Sequence, residues 1–222
     1  MSEKQKRAKL IDLATEWQYC KGCELHNKCT QKVFGRGNAD ANVMFVGIGP
    51  GEEEDIKGIP FVGRSGLMLQ EILTYNHIEW DNVYATNLVL CRPFDVIKKK
   101  KENRDPLKQE VEACAERLKH EIYIVDPTLI VLLGKAPLAY LAGCSSSMQS
   151  ARGKIFEVKL EGKSTHIEYS ALPTWHPSYL VRHGSNLKGD PIHQSTLDIQ
   201  KAYRIANKLD KIYKQLDKEK RS

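Results

Sequence analysis

Asn42-Val43-Met44-Phe45-Val46-Gly47-Ile48 is the stretch whose reading decides the fold. It is a short apolar run closed by turn residues, and it lacks the polar alternation of a strand with one wet face. Such a run suits a strand buried on both sides, as in a sheet with helices above and below it. Two more strands fit downstream, Asn82–Leu90 and Leu129–Leu133, and two further ones, Ile155–Leu160 and His166–Ser170, are joined by Glu161-Gly162-Lys163. Helical spacing marks residues 4–17, Ser65–Tyr75 (with Ser65 as cap), a helix entered through Pro106 and running to Val125, Gly134–Leu141, and Gln194–Lys218. Cys20–Asn38, Gly49–Gly63 and the basic stretch Arg92–Asp105 read as loops. Strands alternating with helices predict an α/β fold with a parallel sheet and helices on both of its faces. In such sheets ligands sit outside the carboxyl ends of the strands, where Gly47–Asp55, Thr86–Pro93 and Trp175–Tyr179 fall.

The chain has 222 residues, of which 41% are hydrophobic, enough for one core and one domain over 1–222. An N-terminal helix, a basic insertion at 94–101 and a C-terminal helix complete that domain. No run approaches the ~18 apolar residues of a membrane span, and Met1–Leu10 has no signal-peptide core, so a cytoplasmic protein with no membrane partner is expected. The net charge of +6 points to a polyanionic partner, although it equally serves solubility. Its densest parts are the four-lysine run Lys98, Lys99, Lys100 and Lys101, and the tail from Lys208 to Arg221. Six cysteines without a secretion signal make metal ligation the first alternative to disulfides.

Taken in order, Gly47-Ile48-Gly49-Pro50-Gly51-Glu52-Glu53-Glu54-Asp55, Gly58-Ile59-Pro60-Phe61-Val62-Gly63-Arg64-Ser65-Gly66, Thr86-Asn87, Cys91-Arg92-Pro93, Asn103-Arg104-Asp105-Pro106 and Trp175-His176-Pro177-Ser178-Tyr179-Leu180 resemble the uracil-DNA glycosylase superfamily. The likeness is to its iron–sulfur, family-4 type and runs from about Trp17 to Arg182. It implies excision of uracil, or a related damaged pyrimidine, from DNA to leave an abasic site. It also implies three α/β/α layers around a central, mainly parallel four-stranded sheet, and a monomer whose partners are uracil-containing DNA and replication or repair proteins.

The resemblance assigns roles by position. His176 is the catalytic histidine, Phe61 the aromatic that stacks on the flipped base, and Asn87 the amide that reads the pyrimidine edge. Glu54 falls near C5, where it would oppose thymine's methyl group, and Gly49 and Gly51 let the backbone approach the ligand closely. Cys20, Cys23, Cys91 and Cys114 match the cluster ligands; four thiolates suit a [4Fe–4S] cluster or a structural zinc, and the resemblance favours iron. Cys29 and Cys144 are read as structural. Lys98–Lys101 would meet phosphates. Two departures stand out. The stretch Phe94–Lys101 is extra, and it lacks the histidine by which a related family links covalently to DNA. Ile48 occupies the place of a glutamate that orients water or stabilises the cation, so an inactive DNA-binding member of the fold is the alternative.

Overall fold

The computed structural model describes residues 1–161, 166–185 and 187–219. Gly162 and Lys163 of the expected turn, and Arg221 of the tail, lie outside the described residues. The strands are β1 (Arg36–Gly37), β2 (Val43–Gly47), β3 (Val83–Asn87), β4 (Phe94–Ile97), β5 (Lys100–Asn103), β6 (Leu129–Leu133), β7 (Phe156–Glu161) and β8 (His166–Thr174). The helices are α1 (Glu3–Trp17), α2 (Glu52–Lys57), α3 (Arg64–Tyr75), α4 (Lys108–Val125), α5 (Lys135–Ala142), α6 (Met148–Ala151), α7 (Pro177–His183) and α8 (Pro191–Glu219).

The main sheet has the order β1-β3-β2-β6-β8-β7. Its four central strands are parallel, as expected, and an antiparallel strand pairs at each edge. The inner strands are buried on both faces, and their side chains sort by the two-residue period of a strand. Met44, Val46, Ile130 and Leu132 pack under Leu118 and Ile122 of α4. Val43, Phe45, Leu129 and Val131 face Leu69 and Leu73 of α3 and Ala202 of α8. Three layers follow directly. Among the described residues, no helix is long and apolar enough to cross a membrane.

Several local expectations need correction. The Gly49–Gly63 loop contains α2, and α3 begins at Arg64 with Gly63, not Ser65, at its cap. The second strand stops at Asn87. The basic stretch 92–105 is a two-stranded hairpin, β4 paired with β5, whose corner is Lys98-Lys99. Both corner lysines have positive φ, 49° and 65°, a conformation that usually selects Asn or Gly. The four lysines are exposed at its tip, while buried Phe94 anchors its base. Lys101 Nζ lies 4.9 Å from the Phe94 ring centre, and the Arg92 guanidinium lies 5.1 Å from it.

Candidate active site

The carboxyl ends of β2, β3 and β8 open into one cleft of about 670 Å³. Ile48, Gly49, Gly51, Glu54, Phe61, Asn87 and His176 all line it, together with Lys101 of the hairpin. Residues separated by more than a hundred positions therefore share one wall. Lys98, Lys99 and Lys100 stand outside the cleft, on the exposed hairpin.

Phe61 is buried and takes a left-handed backbone with φ of 56°, which is costly for a bulky side chain. Neighbours hold it there. Gln70 Nε2 donates to its carbonyl at 3.2 Å and Arg36 Nη2 at 3.3 Å. A Cβ at Gly66 would strike the Phe61 backbone, so this glycine is sterically required. Strain concentrated at a cleft wall is the pattern expected where a side chain must be aimed.

Asn87 ends β3 and is 5% exposed, yet its carboxamide has no partner among the described residues. Its backbone is fixed from behind. Arg117, fully buried in α4, donates to the carbonyls of Asn87 (2.7 Å) and Leu88 (3.0 Å) and to Thr86 Oγ1 (3.1 Å), and pairs with Glu121. Glu121 also accepts from Tyr84 Oη (2.7 Å) and Thr86 Oγ1 (2.8 Å). A buried amide with both edges free can donate to and accept from a ligand that presents a complementary edge.

His176 caps α7, with Pro177 at the first helical position. The backbone N–H of Ser178 donates to its Nδ1 at 3.1 Å, and Ser178 Oγ lies 2.7 Å from the same atom. Burial, assisted by the positive charge of Arg182, pushes its pKa down from 6.5 to about 4. Near neutrality the ring is therefore uncharged. An Nδ1 that accepts a backbone N–H leaves the proton on Nε2, as a donor. The preceding strand end is tied down by Thr174 Oγ1, which donates to Asp198 at 2.8 Å, and by the Arg152–Asp198 pair at 2.7 Å.

Glu54 lines the cleft, but its carboxylate is engaged with backbone. One oxygen accepts from Gly51 N (3.0 Å), the other from Val62 N (3.0 Å) and Gly63 N (2.8 Å), which binds α2 to the Phe61 loop. A Cβ at Gly51 would stand 2.6 Å from Glu54 Oε2, and one at Gly49 2.8 Å from Val89 Cγ2. These glycines answer to the packing of the wall itself. The sequence assigned no role to Ser178, to Arg182, or to Arg92, whose Nε donates to Asn103 Oδ1 at 2.7 Å. The His-Pro-Ser string carried the signal for the first of these, since Pro after a capping residue marks a helix start.

Cys20, Cys23, Cys91 and Cys114 line a second, small cavity with Leu25, Leu90 and Ala113. Cys29, expected to be apart from them, has its Sγ 2.9 Å from Cys91 Sγ and 3.5 Å from Lys32 Nζ. Among the described residues, no three His, Cys, Asp or Glu side chains are arranged around a single metal ion.

Residues 34–200 match the family model of the uracil DNA glycosylase superfamily. A type-4 uracil-DNA glycosylase of Thermotoga maritima is 40% identical over 182 residues, covering 81% of this chain and 88% of that protein. The type-4 enzyme of Archaeoglobus fulgidus is 34% identical over 78% of this chain and 83% of its own length, and that of Sulfurisphaera tokodaii 39% identical over 72% and 70%. A parallel four-stranded core with its cleft at the strand ends, together with these matches, makes the chain a member of the uracil-DNA glycosylase superfamily, grouped with the type-4 enzymes.

Proposed function

We propose that the cleft hydrolyses the N-glycosidic bond of deoxyuridine in DNA, releasing uracil and leaving an abasic site for repair. The observation that carries this reading is the convergence of Phe61, the unpartnered Asn87 amide and a neutral His176 on one cleft. A base inside a duplex is out of reach, so it must be flipped out and held by stacking and by its edge. Phe61 supplies the stacking face. Asn87 offers a donor to O4 and an acceptor to N3–H. As the C1′–N1 bond breaks, its electron pair leaves with the base, and charge grows on O2. The Nε2–H of His176 meets that charge with a preplaced donor. Water then bonds to C1′ and gives up a proton, which solvent carries to the uracil anion. Ile48, at the cleft wall, has no atom to accept it.

Because attack on a cation-like carbon needs little base assistance, weak excision by the native protein is expected. The Ile48→Glu change should raise it, up to the ~10²–10⁴-fold a general base supplies. Labelled uracil oligonucleotides, followed by alkaline cleavage of abasic sites, give the measurement. No excision by either protein, both folded and DNA-binding, would replace this reading with that of a non-catalytic DNA-binding member of the fold, which Ile48 favours.

The same reading assigns Cys20, Cys23, Cys91 and Cys114 to a [4Fe–4S] cluster. An all-thiol donor set around one cavity fits it. Such a cluster, when bound, cross-links the N-terminal loop, the segment after β3 and α4. Protein purified without oxygen should be brown, absorbing near ~400 nm. Stoichiometric zinc without iron, after growth with ample iron, would overturn this assignment.

The exposed lysines of the hairpin serve the phosphates of the strand. Replacing Lys98–Lys101 by alanine should flatten the salt dependence of duplex binding by up to ~0.9 per lost contact. An unchanged slope in a salt titration would mean these lysines are only solvated.

A further inference from the structure

Arg92 lines the cleft and is 4% exposed. Its Nε donates to Asn103 Oδ1 at 2.7 Å, and its Nη1 to Glu52 Oε1 at 3.0 Å. A guanidinium carries donors only, so the amide of Asn103 has to turn its oxygen toward Arg92. The NH₂ group is thereby sent the other way, toward the Gly51 wall, with Nδ2 3.7 Å from where a Cβ of Gly51 would stand. Nδ2 has no acceptor among the described residues. The last residue of the hairpin thus presents a fixed, unspent donor to the cleft.

Its neighbours on the rim indicate what that donor meets. Arg64 and Arg182 line the same cleft without an ion pair among the described residues, and Lys101 lies close by on β5. The acids of the opposite wall are engaged: Glu52 by Arg92, Glu53 by Lys57 at 2.8 Å, and Glu54 by three backbone N–H groups. Asp105 alone among these rim acids has no ion-pair partner among the described residues. A neutral donor flanked by unpaired cations suits a phosphate oxygen.

We propose that Asn103, oriented by Arg92, is a DNA-positioning residue whose Nδ2–H group donates to a phosphate of the strand carrying the flipped nucleotide. This rests on the glycosylase reading above. It also gives the hairpin, whose second strand ends at Asn103, a second task besides charge, the delivery of one oriented amide to the cleft.

The experiment compares native protein, Asn103→Ala and Asn103→Asp. Each is assayed for single-turnover excision of uracil, and for binding to an oligonucleotide bearing 2′-fluoro-deoxyuridine, whose fluorine opposes the sugar cation and so prevents cleavage. Aspartate keeps the acceptor for Arg92 and the side-chain shape, but turns an anionic oxygen where the donor was. Asn103→Ala should weaken binding roughly ten- to hundredfold, the range of a lost hydrogen bond to a charged group. Its salt slope should not change, because a neutral amide releases no counterion. Asn103→Asp should bind more weakly still. If Asn103→Asp binds the fluorinated DNA as tightly as native protein, the proposal fails. Faster excision by Asn103→Asp also overturns it, since the side chain would then face the attacking water. Failure of the native protein to excise uracil overturns the glycosylase reading instead, and the binding comparison still tests the phosphate contact.

Discussion

Replacing His176 by alanine is expected to lower uracil excision by about 10²–10³-fold, as loss of one preplaced donor to a developing oxyanion does elsewhere. The loss should fall on the chemical step, with DNA affinity little changed, because the donor acts on charge that exists only as the bond breaks. Single-turnover rates and equilibrium binding separate the two effects. An equal loss in both would make His176 a binding residue. The pH dependence carries a second signature. With its pKa held near 4, the imidazole stays neutral down to about pH 5, so the His176-dependent part of the rate should be level from pH 8 to 5 and change only toward 4. Stability follows the same group. Unfolded chains protonate this histidine below about pH 6.5, while the folded state resists until about 4, so its contribution is present above 6.5 and lost as pH falls through that window.

The largest effect on stability is expected from Arg117→Ala. This change strands the Glu121 carboxylate inside the protein and leaves the Asn87 and Leu88 carbonyls without their donor. Breaking one side of a buried pair costs about 3–5 kcal/mol. For a chain of this size, that is a fall in Tm of about 6–20 °C. Chemical denaturation measures it directly, and a loss below about 1 kcal/mol would show that water enters to replace the arginine. The substitution also reaches the cleft, because the fork of Arg117 holds the backbone from which Asn87 projects. Arg117→Lys keeps the charge but cannot grip two carbonyls and Glu121 together. It should therefore raise KM for uracil-containing DNA more than its smaller loss of stability suggests.

The central strands were legible in the sequence because burial on both faces writes itself as short apolar runs such as Val43–Gly47 and Leu129–Leu133. Helix α2 was not. Glu52-Glu53-Glu54-Asp55 reads as a solvated acidic loop, and what makes it helical is a carboxylate that reaches forward to Val62 and Gly63 across the chain. The hairpin escaped for a related reason. A lysine run has little strand propensity, and Lys98-Lys99 lacks the usual turn chemistry, so only its anchoring at Phe94 reveals it. Phe61, Asn87 and His176 could be singled out by resemblance, but spacing says nothing of their meeting. The tautomer of His176 and the turn of the Asn103 amide depend on partners that no periodicity encodes.

The lysine corner of the hairpin has an energetic consequence of its own. Two adjacent residues in left-handed backbone each forgo roughly 1–2 kcal/mol of local comfort, and four neighbouring ammonium groups repel one another. An arriving polyanion relieves the repulsion while leaving the backbone geometry as it is. The free hairpin is thus a frustrated element, and the phosphate contacts proposed for its lysines would remove part of that frustration. Its ordering and the affinity for the strand would then be thermodynamically linked, so a corner of Asn-Gly would make the hairpin sturdier and the protein less responsive to its ligand.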